Sequence, residues 1–262
     1  MRNVILFVLV VIISYFATES RAQSAEELAK KLANPIASLI SVPFQNNTDF
    51  GIGDLNATRN TLNIQPVIPF KLSDNLNLIT RYVVPVISQY NIPGVGDSQF
   101  GLSDALVSTF FSPVGSGLTW GAGPVFLIPT GTDDYLTTKK FGIGPTAVAL
   151  MQSNGWTYGG LINQIWSIAG SDDRPDVNQL FFQPFVIYNW KSGAGMGVNM
   201  EITQNWEGNT TVAWLNPFIN AVTSFGEQKV QVGLGPRINI AAPDGSKADL
   251  GVRASITLLF PN

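Results

Sequence analysis

From about residue 37 onward, apolar and polar residues alternate with a period of two. In 193–205, Ala194, Met196, Val198, Met200 and Ile202 share one parity; Gly195, Gly197, Asn199, Glu201 and Thr203 take the other. In 229–241, Val230, Val232, Leu234, Pro236, Ile238 and Ile240 oppose Gln231, Gly233, Gly235, Arg237 and Asn239. Residues 249–260 set Leu250, Val252, Ala254, Ile256, Leu258 and Phe260 against Gly251, Arg253, Ser255 and Thr257. Successive strand side chains point to opposite faces, so each stretch is a strand with one oily face and one small or polar face. A strand between lipid and an aqueous lumen needs that division. The pattern predicts twelve strands, over 37–46, 59–72, 76–88, 99–111, 117–129, 141–152, 156–168, 177–190, 193–205, 211–222, 229–241 and 249–260. The seventh and tenth alternate poorly. Pro43, Pro66, Pro69, Pro85, Pro124, Pro145, Pro184, Pro217 and Pro236 fall inside strands, where each removes a ladder donor.

A sandwich of two sheets also alternates; the connections separate the two readings. Even-numbered links are short (73–75, 113–116, 153–155, 191–192 and 223–228). Odd-numbered links are mostly longer (47–58, 89–98, 130–140, 169–176, 206–210 and 242–248). Membrane barrels pair tight turns at one rim with longer loops at the other. The fold class predicted is all-β: a transmembrane antiparallel up-and-down barrel of about twelve strands, with a short N-terminal helix. An even strand count puts both ends of the barrel at the short-turn, periplasmic rim. Phe70, Phe110, Phe111, Trp120, Trp156, Tyr158, Tyr188, Trp190 and Phe260 sit near the short turns. Tyr90, Phe100, Phe141, Trp166 and Trp206 sit near the long loops, which suggests two interfacial girdles.

Ahead of the strands, Arg2 precedes an apolar run from Val4 to Phe16, with small residues at Ser20 and Ala22. That is a signal-peptide pattern, too short for a spanning helix, cleaved after about Ala22. The organisation expected is therefore 1–22 signal peptide, 23–35 short periplasmic helix and linker, and 36–262 barrel. Ser24 with Glu27 makes a capping box, and Pro35 stops the helix. The helix reads as a solvated turn at the periplasmic rim, with a plug in the barrel mouth as the alternative.

Charged residues are only 13% of the chain, about half the share of an ordinary soluble domain. Without residues 1–22 the balance is 13 basic against 17 acidic, net −4, which argues against nucleic acid as a partner. With no histidine and no cysteine, a Ser-His-Asp triad, a Cys-His pair and the usual zinc sites are excluded. The reading is of a protein that is not an enzyme, with no catalytic residue, metal site or cofactor. The acidic loop tips Asp133-Asp134 and 172–176 read as solvated.

The residues that invite function are charges and amides on the polar strand faces. Arg81, Asp104, Glu201, Arg237 and Arg253 each lie six to nine residues from a short turn, about mid-height. An arginine facing lipid at that depth costs about 2–4 kcal/mol, so these side chains should face the lumen, with Asn199 and Asn239 beside them. They are candidates for a permeation path: a structural ion-pair network in the first instance, a charge-selective constriction in the second.

Several stretches carry a resemblance: Asn34 to Gln45, Gly144 to Leu150, Trp156 to Gly159, Ile165 to Gly170, Asp173 to Asn178, Gln183 to Phe185, and Tyr188-Asn189. They resemble a family of bacterial outer-membrane transporters related to the MetA-pathway group of phenol degradation, some of whose members carry the label neuromedin U. The resemblance implies an outer-membrane barrel of a Gram-negative bacterium that moves small solutes, hydrophobic or aromatic ones among them, and it implies no catalytic residue. The partners expected are outer-membrane lipid, small-molecule solutes and the barrel-assembly machinery, which would read the C-terminal strand ending at Phe260. The alternatives are a non-conducting structural or surface-interaction barrel and a soluble secreted β-sandwich binding protein.

Overall fold

The computed structural model describes residues 24–115 and 117–260. The signal-peptide assignment at 1–22 and the last two residues lie outside them. The chain forms one antiparallel sheet closed on itself. Twelve staves make it: β1 (Ile40–Ile52), β2 (Ala57–Ile64 and Val67–Ser73), β3 (Leu76–Tyr90), β4 (Ser98–Leu102 and Ala105–Pro113), β5 (Leu118–Ile128) and β6 (Lys140–Ser153). They continue as β7 (Trp156–Gly170), β8 (Asn178–Asn189), β9 (Ala194–Asn205), β10 (Thr210–Phe225), β11 (Gln228–Ala241) and β12 (Leu250–Phe260). Each stave pairs with the next in sequence. The sheet closes where β1 meets β12, Ile40 opposite Phe260 and Phe50 opposite Leu250. Closure leaves no free edge, which is what lets a sheet stand in lipid with its backbone satisfied.

The oily parity faces out. Ile219, Leu234, Ile238, Val252 and Ile256 are exposed on the outer wall, while Gly235, Arg237, Asn239, Gly251 and Arg253 between them are buried inside. The sandwich alternative is thereby overturned: the apolar faces do not meet across stacked sheets. Ile219, mid-stave on β10 and 65% exposed, gives a direct check. Ile219→Arg should destabilise the barrel in bilayers by about 2–4 kcal/mol, measured as a lowered urea midpoint in liposomes. In detergent, where the head can reach water, the effect should shrink.

Most of the prolines share an answer; Pro69 does not, sitting opposite Ile79 in a continuous stretch of the β2–β3 ladder. Between Leu215–Ile238 and Ile219–Leu234 the β10–β11 ladder lapses, with Pro217 and Pro236 on its two sides. A Cβ at Gly235 would lie 2.0 Å from the Pro217 carbonyl oxygen, so the close approach there requires glycine. Over this lapse the outer wall carries an apolar groove of about 820 Å³ lined by Trp156, Tyr188, Met196 and Phe218 among others. Pro66 lies in the break of β2, and Pro43 faces that break across β1. Pro85 faces the break in β4, Pro124 and Pro145 face one another, and Pro184 sits in a lapse of the β8–β9 ladder. These other missing N–H groups gather where the ladder is already open, so few donors are lost.

Three expectations change. The first loop, expected over 47–58, is only 53–56, because β1 continues to Ile52. Phe110 is not part of a girdle: it is wholly buried and points inward. The helix α1 (Ala25–Leu32) is present and capped, Ser24 Oγ accepting from the Glu27 N–H at 3.1 Å, but it is solvated on one face only, Glu26, Glu27 and Lys30 being exposed. Leu28 is 1% and Ala29 0% exposed.

Candidate functional site: a charged layer above a seated N-terminal segment

The lower bore, at the short-turn rim, is apolar. Leu28, Ala37 and Leu39 cluster with Leu259 of β12, and Leu32 and Val222 pack against them. Ile36 joins a second cluster with Ile79, Phe110, Val148, Leu150, Leu161 and Phe185. These six come from β3, β4, β6, β7 and β8, so the segment after α1 crosses the bore to reach the far wall. Polar contacts fix it. The Gln152 amide donates to the Lys30 carbonyl at 2.8 Å and the Asn189 amide to that of Ala29 at 3.4 Å. Asn77 donates to Ser38 Oγ at 3.2 Å. Gly193, in the β8–β9 turn, lies against Ala25, and a Cβ there would come within 2.7 Å of it. This explains the poor alternation of the seventh strand: Leu161 and Ile165 point inward because the lumen is itself partly a core.

Above the segment lies a layer of paired charges from both sides of the closure. Arg253 Nη2 donates to both carboxylate oxygens of Glu201 at 2.8 Å, and Arg237 Nη1 reaches Glu201 Oε2 at 3.1 Å. Arg237 Nε donates to Asp49 Oδ1 at 3.0 Å and Nη1 to Asn216 Oδ1 at 3.4 Å. Arg253 Nε donates to Asn47 at 2.8 Å. The Arg237 guanidinium also lies 4.3 Å from the ring centroid of Trp214, a cation–π contact. All of these side chains share the inward parity of their staves.

The sequence-predicted residues thus separate into groups. Glu201, Arg237 and Arg253 form the centre of the layer. Asn199 attaches to it through Asn216, whose amide donates to its Oδ1 at 3.0 Å. Arg81 stands lower, donating from Nη2 to Gln65 Oε1 at 2.8 Å. Asn239 is a strut at the long-loop rim, donating to the carbonyls of Ala213 and Ala241 and accepting from the Ala248 N–H. Asp104 is an anchor for loop 129–139. Its two oxygens accept from Gly131 N at 3.2 Å, Thr137 Oγ1 at 2.6 Å, and Thr138 N and Oγ1 at 2.7 and 2.6 Å.

Sequence reasoning did not single out Asp49, Asn47, Asn216 or Trp214. The first two lie in what reads as a loop, and the others sit in a strand of weak alternation. The acidic tips are not merely solvated: Lys139 and Arg174 gather at Asp134, and Lys140 pairs with Asp176 at 3.0 Å. Lys139 holds the Asp134 carboxyl below its ordinary range, and Lys140 with Ser167 does the same for Asp176. Asp104→Asn should loosen this rim without unfolding the barrel, since hydrogen bonds to a charged group are worth about 1.5–3 kcal/mol each. The expected readout is faster proteolytic nicking in 129–139 with an unchanged global unfolding midpoint.

Two cavities open towards the long loops. One of about 650 Å³ is bordered by Asp49, Arg59, Trp214, Arg237 and Asn239. The other, of about 440 Å³, is bordered by Asp104, Leu127, Thr138, Ile165 and Arg174. A smaller one of about 190 Å³ lies between the charged layer and the seated segment. The bore is therefore a row of chambers interrupted by side chains.

This architecture has a solved counterpart. The barrel is similar to an outer membrane channel from Pseudomonas putida F1, with a TM-score of 0.67 and 14% identity over 86% of this chain and 96% of that one. At that identity the likeness shows the fold. Two further matches are weaker: the outer membrane phospholipase A of Escherichia coli (TM-score 0.43, 10% identity, 83% of this chain and 95% of that one) and a FadL homologue from Pseudomonas aeruginosa (0.41, 10%, 85% and 89%). No protein-family model matches the chain, and no curated protein matches it.

Proposed function

We propose that this protein is an outer-membrane channel for small solutes, held shut in the present state by its own N-terminal segment. One observation carries the reading: a closed barrel whose outer wall is apolar and whose bore holds chambers bordered by charged and amide side chains above an apolar floor. An apolar wall suits lipid, and a polar bore is of use only if something occupies or crosses it. The counterpart from Pseudomonas putida, named as an outer membrane channel, agrees with this. On this reading the short-turn rim and both barrel ends are periplasmic, the long loops face outward, and β12 is the strand offered to the assembly machinery. No catalytic role is assigned: the phospholipase is a weak match, and general-base chemistry through histidine has no residue to use here. The solutes are small, and the apolar lower bore favours those with a hydrophobic or aromatic body.

A second reading has its own observation. The paired charges span much of the bore, so a barrel that never conducts, serving a structural or surface role, also accounts for the layer. Planar-bilayer recording of the purified protein separates the two. A channel shows low or flickering conductance that rises when residues 24–33 are removed; a bilayer that stays sealed in both forms, with the barrel folded, supports the structural reading.

A further inference from the structure

Beneath the charged layer, the 190 Å³ chamber has an uneven charge. Its walls carry Arg81 and Lys31 together with the amides of Gln45, Gln65, Gln183 and Gln231, and among the described residues no carboxylate lines it. Its floor is the apolar part of the seated segment and its surround, Leu32, Ala37, Leu39 and Val67. Arg81 has one side-chain bond, to Gln65, and among the described residues no carboxylate within 4.0 Å. Glu201, in whose field it stands, is already shared by Arg253 and Arg237. Among the described residues Lys31 pairs only with Glu27, a half-exposed partner on its own helix at 3.4 Å. Higher in the bore Arg59 repeats the pattern, donating to Gln89 at 2.9 Å with, among the described residues, no carboxylate within 4.0 Å. Among the described residues, four guanidiniums, Arg59, Arg81, Arg237 and Arg253, stand around the layer's two carboxylates, Asp49 and Glu201.

A cation partly withdrawn from bulk water without a carboxylate partner loses some of its solvation, and an anion that enters beside it offsets that loss. A guanidinium fork donates two parallel bonds to a carboxylate, an ammonium and amide N–H groups can complete the carboxylate's shell, and the apolar floor takes a hydrocarbon tail. A water molecule takes ~30 Å³ of liquid, so the chamber has room for a ligand the size of several waters. We propose that this chamber is a binding site for a small organic carboxylate with a short apolar body, held by Arg81 and Lys31. The site deepens the channel reading, because it names the class of solute the bore would select, and as a binding site it can be tested apart from conduction.

Butyrate and its neutral isostere butyramide are the probes, titrated calorimetrically into the full-length detergent-solubilised protein at neutral pH. Butyrate should bind and butyramide should bind at least about tenfold more weakly, since a charge-assisted pair is lost. Arg81→Gln should weaken butyrate by roughly 10- to 100-fold, the range for a hydrogen bond to a charged group, and Arg81→Lys should restore part of it. Lys31→Gln, on the seated segment and outside the barrel wall, provides a variant whose barrel folds independently of the change, and it should also weaken butyrate. Heat-modifiable gel mobility verifies folding. Equal binding of butyrate and butyramide, or unchanged butyrate affinity in folded Arg81→Gln and Lys31→Gln, overturns the site. Binding that obeys these expectations in a barrel whose bilayers stay sealed would keep the site and remove the channel.

Discussion

On the channel reading, Leu28→Glu should convert a quiet barrel into a conducting one. Leu28, Ile36 and Leu39 are each at most 3% exposed, and a fully buried side chain of that size contributes about 1.5–3 kcal/mol. Together they hold the segment in the bore with on the order of 6 kcal/mol, an upper figure because the released segment still buries part of this surface. A shift of about 5.5 kcal/mol moves a two-state population from 1:99 to 99:1. Glutamate at position 28 removes one of the three contributions and adds the desolvation of a carboxylate in an apolar cluster, a penalty of several kcal/mol by itself. The seated state should then become the minor one. Single-channel recordings of Leu28→Glu should show sustained open levels matching those of the form lacking residues 24–33. If the variant folds and its bilayer remains as quiet as wild type, the segment is not what closes the bore.

Glu201→Gln should be the most destabilising single change within the barrel wall. The carboxylate accepts three charge-assisted bonds from two guanidiniums. Its amide replacement keeps the shape but leaves the Arg237–Arg253 pair with only Asp49 as counter-charge. Breaking a buried ion pair on one side costs about 3–5 kcal/mol, because the remaining charge is stranded. A lowered urea midpoint in liposomes is the readout. The double variant Glu201→Gln with Arg253→Gln should recover much of the loss, since the stranded charge is then gone, and the two changes should be strongly non-additive. Additive losses would mean that the layer is a set of independent hydrogen bonds and not a network. In a barrel that conducts, Glu201→Gln should also shift reversal potentials towards anion selectivity, because it increases the positive surplus of the bore.

The wall of this protein was legible in its sequence because lipid imposes a periodicity. Every second residue of 229–241 and 249–260 must be apolar, and the remainder need not be, so the stave count and the inward facing of Arg237, Arg253 and Glu201 follow from parity alone. The short turns and longer loops were legible for the same reason. Where the rhythm weakened, the bore was the cause: Leu161 and Phe185 are apolar on the inward face because they cluster with Ile36 of the N-terminal segment, and Ile165 because it packs within the bore on Val125 and Leu127. A local pattern cannot report a partner more than a hundred residues away. The seating of α1 was hidden similarly, since an eight-residue amphipathic helix with a capping box reads identically whether its apolar stripe meets a bore or a neighbour.

The sequence by itself determined the class, the approximate staves and which charges face inward, because alternation, turn chemistry and the absence of histidine and cysteine are local properties. Only the tertiary structure decided which charges meet. Glu201 and Arg253 are 52 positions apart and Asp49 and Arg237 are 188; the curvature of β9 to β12 brings the first pair within hydrogen-bond reach and the closing of β1 on β12 the second, whereas Arg81 stays outside that network on its own stave. Pairing between distant staves is set by the register of the closed sheet, and register is a property of the whole ring.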